Sequence, residues 1–231
     1  MSKSVVIVCT SAAFLGAHKT GLWLEEAASP YYLFTGAGYT VTLASPAGGA
    51  VPIDEGSITG GFLTESCKKF LADPVALGAL SHTTKLSEMS FPDCCDSLYL
   101  AGGHGTCVDF HDNAALKSAI ETMINAGKIV CADCHGPIAL AQCKKTDGTP
   151  LLAGLACTGF NNSEEAAVQL TSAVPFLIET KFKELGGVYT SGADWNPHVV
   201  VAQVEGGGTL ITGQNPQSSD AAAEAVLKAM Q

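Results

Sequence analysis

Hydrophobic and polar positions fall into two kinds of run along this chain. Short unbroken apolar stretches, rich in Val, Ile and Leu, read as strands buried on both faces. Longer stretches with apolar residues three and four apart read as helices. Val5 to Thr10 is the first strand. Leu22 to Ala28 then predicts a helix ending near Ser29-Pro30, because the residue before a proline is driven out of helical geometry. Tyr39 to Ala44 alternates as a second strand, and Ser45 to Gly49 is a turn. Ser97 to Ala101 and Lys128 to Ala132 are further strands. Between them, Asn113 to Ala126 puts Leu116, Ile120, Met123 and Ile124 on one helical face, with Gly127 as the stop. Helices follow at Pro137 to Cys143, around Glu164 to Leu170 and at Pro175 to Leu185. Strands near Val188, Val199 and Leu210 precede a closing helix from Pro216 to Met230.

Strands alternating with helices predict an α/β fold, a mostly parallel sheet covered on both faces. Residues 50 to 95 interrupt the alternation with Gly, Pro and short helical pieces, Leu63 to Leu71 and Val75 to Leu80. They read as an elaboration on the core of a single domain spanning residues 1–231.

Composition narrows the function. The chain has 231 residues, 47% of them hydrophobic and 15% charged, enough to bury a full core without staples. Twelve Lys and Arg against a net charge of −10 argue against nucleic acid or an anionic membrane as partner. Nine cysteines, an odd number, with no secretory signal and no membrane-spanning stretch, predict a reduced cytoplasmic protein in which most thiols are small buried hydrophobes.

In a parallel sheet, ligands bind beyond the carboxyl ends of the strands. Three segments leave predicted strands with unusual residues: Thr10-Ser11, Gly102-Gly103-His104-Gly105 and Asp133-Cys134-His135-Gly136-Pro137. Cys134 falls on a strand-to-helix turn, the setting of a nucleophile elbow. Pro137 opens the helix, whose aligned N–H dipoles are expected to lower the thiol pKa. His135 supplies an imidazole for proton transfer. The glycine loop can aim backbone N–H groups at an oxyanion, although a tight turn is an equally simple reading. Glu25 and Glu26 lie on an apolar helix and point different ways, so at most one faces inward. The C-x-x-C-H at Cys131 to His135 also matches haem-attachment and redox patterns, but Cys131 falls inside the strand. No second ligand cluster completes a zinc site, and no metal or cofactor is expected.

Further stretches complete the picture: Lys19-Thr-Gly-Leu-Trp-Leu-Glu-Glu-Ala, Ala44-Ser-Pro, Ala101-Gly-Gly-His-Gly-Thr, Cys134-His-Gly-Pro-Ile, Thr158-Gly-Phe-Asn-Asn-Ser-Glu-Glu and Thr212-Gly-Gln-Asn-Pro. In this order they resemble the ThiJ/PfpI superfamily, and within it the glutathione-independent glyoxalase (glyoxalase III) branch. The resemblance implies a flavodoxin-like three-layer sandwich and a homodimer. It implies Cys134 as nucleophile with His135 as partner. It also implies Glu26, the glutamate of Thr-Gly-x-x-x-x-Glu-Ala over residues 20 to 27, as proton carrier. The N–H groups of Gly103 and His135 would form an oxyanion hole, with His104 lining the substrate pocket. Glu165 would orient the histidine, with Glu164 as the near alternative. The implied reaction converts methylglyoxal, a small reactive carbonyl, to lactate without glutathione or metal.

Asp133 departs from the superfamily pattern, in which relatives usually carry a small or apolar residue there. A carboxylate aimed at Cys134 would raise the thiol pKa; alternation along the strand would turn it away. Two other functions compete with the glyoxalase: a stress protein sensing oxidants through Cys134, and a Cys-dependent hydrolase of peptides or amides. Residues 50 to 95 and Trp195 to His198 are the candidates for narrowing the cleft to small molecules.

Overall fold

The computed structural model describes residues 3–231. Strand β1 (Ser4–Val8) leads through a small hairpin, β2 (Phe14–Leu15) and β3 (His18–Lys19), to helix α1 (Glu25–Gly36) and strand β4 (Thr40–Ser45). Two short helices, α2 (Glu65–Ala72) and α3 (Pro74–Ser81), precede β5 (Thr84–Lys85) and β6 (Ser97–Leu100). After one turn of α4 (Thr106–Asp109), α5 (Ala114–Asn125) carries the chain to β7 (Ile129–Asp133). β8 (Ala156–Cys157), α6 (Asn162–Ala167), α7 (Ile178–Glu184) and β9 (Val188–Tyr189) follow. The chain closes with β10 (Val199–Gln203), β11 (Thr209–Gly213) and α8 (Ser219–Ala229).

Seven strands form the central sheet in the order β10-β11-β7-β6-β1-β4-β5. Every pairing is parallel except the edge hairpin β10–β11. This is the mostly parallel, helix-covered sheet of the flavodoxin-like class.

Two-residue alternation splits the core. Val6, Val8, Leu98, Leu100, Val130 and Ala132 face the layer of α5 and α7, while Val5, Ile7, Tyr99 and Cys131 face that of α1, α2 and α8. Both sets are almost wholly buried, and each such aliphatic side chain contributes roughly 1.5–3 kcal/mol. The strand order reverses around β1, so the carboxyl ends of β1, β6 and β7 open onto one crevice.

Helix α1 corrects the sequence reading: it runs through Pro30 to Gly36. Pro30 lacks the N–H that would reach the Glu26 carbonyl. The helix continues because Ala27, Ala28, Pro30 and Phe34 are all buried. Cysteines are mostly apolar fill, as expected; all nine are unpaired and only Cys94 is not buried.

Candidate active site

Cys134 follows the last residue of β7 and adopts φ 56°, a left-handed conformation that costs a non-glycine residue on the order of 1 kcal/mol. Two backbone bonds hold it there. Its N–H donates to the Gly213 carbonyl (3.1 Å), and its carbonyl accepts from Phe160 N–H (2.9 Å). The elbow expected from the sequence is therefore present.

The expected electrostatics are not. The helix after Cys134, Gly136–Gln142, is 3₁₀ rather than α. The thiol is buried, and burial, then the charges of Glu26 and Asp133, push its pKa well above the ordinary range. An elbow motif specifies a backbone turn; it does not specify how much water reaches the sulfur.

His135 is completely buried beside the thiol, its Nδ1 3.4 Å from Cys134 Sγ. Its Nε2 lies 2.8 Å from Glu165 Oε2, and His104 Nε2 lies 2.9 Å from Glu165 Oε1. One carboxylate thus spans two imidazoles, whose ring centres are 3.9 Å apart. Burial alone would raise the Glu165 pKa, but the two histidine donors outweigh it and hold it at about 2. Burial, then the neighbouring His104, lowers His135 to about 4 against the opposing pull of Glu165. At neutral pH the pair is a carboxylate and a neutral imidazole. A carboxylate only accepts, so the His135 proton sits on Nε2 and the Nδ1 lone pair faces the thiol.

Glu164 does something else. Its Oε1 accepts from Trp195 N–H (2.8 Å), Gln214 Nε2 (3.1 Å) and Asn215 Nδ2 (2.8 Å), while Oε2 completes a capping box with Asn161 at the start of α6. Of the two adjacent glutamates, Glu165 meets the histidines and Glu164 ties three loops together.

Glu26 is fully buried in the first turn of α1, whereas Glu25 is half-buried and bonds to Thr64. Glu26 Oε2 accepts from Gly102 N–H (2.7 Å), and Oε1 has no conventional partner. Burial, then the Asp133 charge, pushes the Glu26 pKa well up, with the Cys134 thiol acting on the carboxyl as a weak donor in the opposite sense. Thiol and carboxyl are each disfavoured as anions beside the other, so the pair holds one negative charge at most.

The glycine loop fits against this pair. A Cβ on Gly102 would lie 2.7 Å from both Glu26 Oε2 and His135 N, and one on Gly103 (φ 102°) would run into the Gly21 carbonyl. Thr106 Oγ1 lies 2.8 Å from the Gly103 carbonyl and 3.1 Å from that of His135, joining the loop to the elbow. Among the described residues, no hydrogen bond uses the N–H of Gly103 or of His135.

These groups open onto a cavity of about 100 Å³ lined by Gly103, His104, Cys134, His135 and a shell of Trp23, Phe62, Phe160, Val168, Trp195 and Pro216. Phe62 from the 50–95 elaboration and Trp195 do help enclose it. Phe160 and Val168, which the sequence did not single out, complete the wall. This is far smaller than the ~300–1,000 Å³ of drug-sized pockets.

Asp133 is wholly buried on the opposite side of the strand end, where Ser219 Oγ of α8 lies 2.8 Å from its Oδ2. Burial pushes its pKa up to about 7. It therefore faces away from the cavity yet still acts on Cys134 through charge. His18 is exposed in the β2–β3 hairpin and is not part of the cavity lining. His82, His111 and His198 bond locally to Gly78, Asp112 and Thr190. Ring nitrogens of His104 and His135 and a Glu165 oxygen lie within 4.8 Å of one another, but both carboxylate oxygens are already taken by imidazole N–H, and no metal is assigned there. No helix among the described residues is long and apolar enough to cross a membrane.

Comparison with known proteins identifies the family and the fold. The model of the DJ-1/PfpI family matches residues 10–229. "Glyoxalase 3" of Candida albicans is 29% identical over 222 residues, covering 92% of this chain and 91% of the relative. The crystal structure of glyoxalase III from the same yeast superposes with TM-score 0.88 at 28% identity, covering 98% of this chain and 97% of that one. The X-ray structure of Rapid Encystment Protein 24 KDa from Francisella tularensis gives TM-score 0.91 at 34% identity, covering 99% of both chains.

Proposed function

Since the chain belongs to the DJ-1/PfpI family, we propose that it is a cytoplasmic glutathione-independent glyoxalase that converts methylglyoxal to lactate, folded as a single domain and acting as a homodimer. The observation that carries the reading is the arrangement at the elbow. A thiol lies 3.4 Å from an imidazole nitrogen whose tautomer is set by Glu165, with the buried Glu26 carboxyl alongside.

Cys134 and Glu26 share one proton. With that proton on Glu26, the thiolate adds to the aldehyde carbon of methylglyoxal and forms a C–S bond. The negative charge moves to the former aldehyde oxygen, where the unused N–H groups of Gly103 and His135 stabilise it. Glu26 then passes its proton to that oxygen, giving a neutral hemithioacetal. His135 Nδ1 and the Glu26 carboxylate relay the proton from this carbon to the neighbouring carbonyl carbon through an enediolate, and the hydroxyl proton passes from the first oxygen to the second. The first carbon is oxidised and the second reduced, so no external redox partner is needed. Water cleaves the resulting thioester, releasing lactate and the thiol. The net reaction adds one water to methylglyoxal.

His104 has two roles in this scheme: it lines the cavity and it shares Glu165, which keeps the second carboxylate oxygen from drifting. The cavity size favours a three-carbon substrate over a peptide, against the hydrolase alternative. The buried, raised thiol argues against an exposed oxidant sensor. The test is purified protein with methylglyoxal and no glutathione. Lactate should form, and Cys134→Ala should abolish it; turnover that survives Cys134→Ala contradicts the assignment.

A further inference from the structure

Asp133 is absent from the scheme above although it adjoins the nucleophile in sequence and its carboxyl is completely buried. Among the described residues, its surroundings hold no counter-ion. Glu25 and Glu26 face it from α1, Tyr99 from β6, Cys131 and Cys134 from its own strand and turn, Glu164 from α6 and the Ser219 hydroxyl from α8. None of these groups is a cation.

The hydrogen-bond geometry favours one protonation state. Ser219 Oγ lies 2.8 Å from Asp133 Oδ2 and 2.8 Å from the Pro216 carbonyl oxygen. A hydroxyl has one proton, and a carbonyl can only accept. Both contacts are full two-centre hydrogen bonds when Asp133 is itself protonated, donating to Ser219 while Ser219 donates to Pro216; with Asp133 ionised, the two acceptors must share one hydroxyl proton. The other carboxyl oxygen, Oδ1, is buried without a partner, a state costly for a carboxylate and tolerable for a neutral acid.

We propose that Asp133 is a positioning residue held as a neutral carboxylic acid beneath the Cys134–Glu26 pair, and that loss of its proton limits the thiolate as pH rises. While Asp133 is neutral, the pair carries its single charge without competition. Once Asp133 ionises, a second negative charge enters the same apolar site, and the pair takes up a second proton, which leaves the sulfur as a thiol. The inference rests on reading Cys134 as the reactive thiol. It is specific to this chain's aspartate and does not require that methylglyoxal be the substrate.

The test follows iodoacetamide alkylation of the Cys134 peptide by mass spectrometry from pH 6 to 9, in wild type and Asp133→Asn. Asn matches the acid in shape and donates to Ser219 at every pH. At pH 6 the two proteins should react within about twofold of each other. At pH 8.5 the Asn variant should react on the order of tenfold faster, the equivalent of one pKa unit on the thiol. A purely structural role would change both rates by the same factor, and an equal ratio at the two pH values overturns the inference. If Asp133→Asn does not fold, Ser219→Ala decides. Removing the acceptor of an acid proton should move the wild-type inflection to lower pH; an upward move, or a wild-type profile without an inflection between pH 6 and 9, overturns the inference. Alkylation requires no turnover. The predicted ratio without lactate formation would refute the glyoxalase reading alone, and lactate formation with an equal ratio would refute the role of Asp133 alone.

Discussion

Replacing Glu165 by Ala or Gln separates the structural from the chemical part of the site. The carboxyl moves from an ordinary 4.5 to about 2 on folding, so its charged form is favoured by roughly 3 kcal/mol. The direction follows from linkage. A depressed carboxylate contributes stability above its unfolded pKa and loses it as pH falls through the folded value. Glu165→Ala also leaves two buried imidazole N–H groups unpaired, at about 1–3 kcal/mol each. Urea unfolding at pH 7 should therefore show a loss of about 3 kcal/mol or more, shrinking to about half near pH 3. Glu165→Gln keeps the shape, but its amide can accept from only one histidine and must donate to the other. Where it donates to His135, the imidazole proton moves to Nδ1, the nitrogen facing the thiol, and the base is lost. Gln should keep most of the stability while kcat falls by roughly 10²–10⁴. Wild-type turnover in the Gln variant, or a loss below about 1 kcal/mol in the Ala variant, would refute the shared-carboxylate account.

Four further outcomes follow from the same geometry. Cys134→Gly should be more stable than Cys134→Ala by about 1 kcal/mol in thermal unfolding, because glycine accepts φ 56° without strain; equal stability would mean that the turn is not strained. Gly102→Ala should displace both Glu26 and the His135 N–H and lower kcat by at least about tenfold, measured by lactate formation. His135, lowered from 6.5 to about 4 by burial, stays neutral when folded while the unfolded imidazole charges, so unfolding free energy should fall between pH 6.5 and 4. His135→Phe should lose that part of the pH dependence in urea titrations. Phe62→Ala, which opens the cavity wall, should raise KM for methylglyoxal more than it lowers kcat.

Much of the fold was legible because it rests on short-range pattern. The Ile129–Ala132 run followed by Gly136-Pro137 announced the strand and the turn that carries Cys134, and Leu116, Ile120, Met123 and Ile124 announced one face of α5. What the sequence hid depends on contacts between distant residues. Glu165 reaches His104 across 61 positions and His135 across 30, and nothing local distinguishes it from Glu164 next door. Alternation allowed Asp133 to turn away from the sulfur, but only packing of α8 brings Ser219, 86 residues on, to its oxygen. The direction of the thiol pKa was misread for the same reason: a helix start is visible in sequence, and the depth of burial and the approach of Glu26 are not. Pro30 misled because tertiary burial of α1 outweighs one missing hydrogen bond.

The most direct test of the account is lactate released from methylglyoxal by purified protein without glutathione, followed over time in wild type, Cys134→Ala and Glu26→Gln. The account predicts multiple turnovers in wild type, none in Cys134→Ala, and a loss of at least about 10² in Glu26→Gln. Absence of lactate in wild type, or undiminished turnover in either variant, would contradict it.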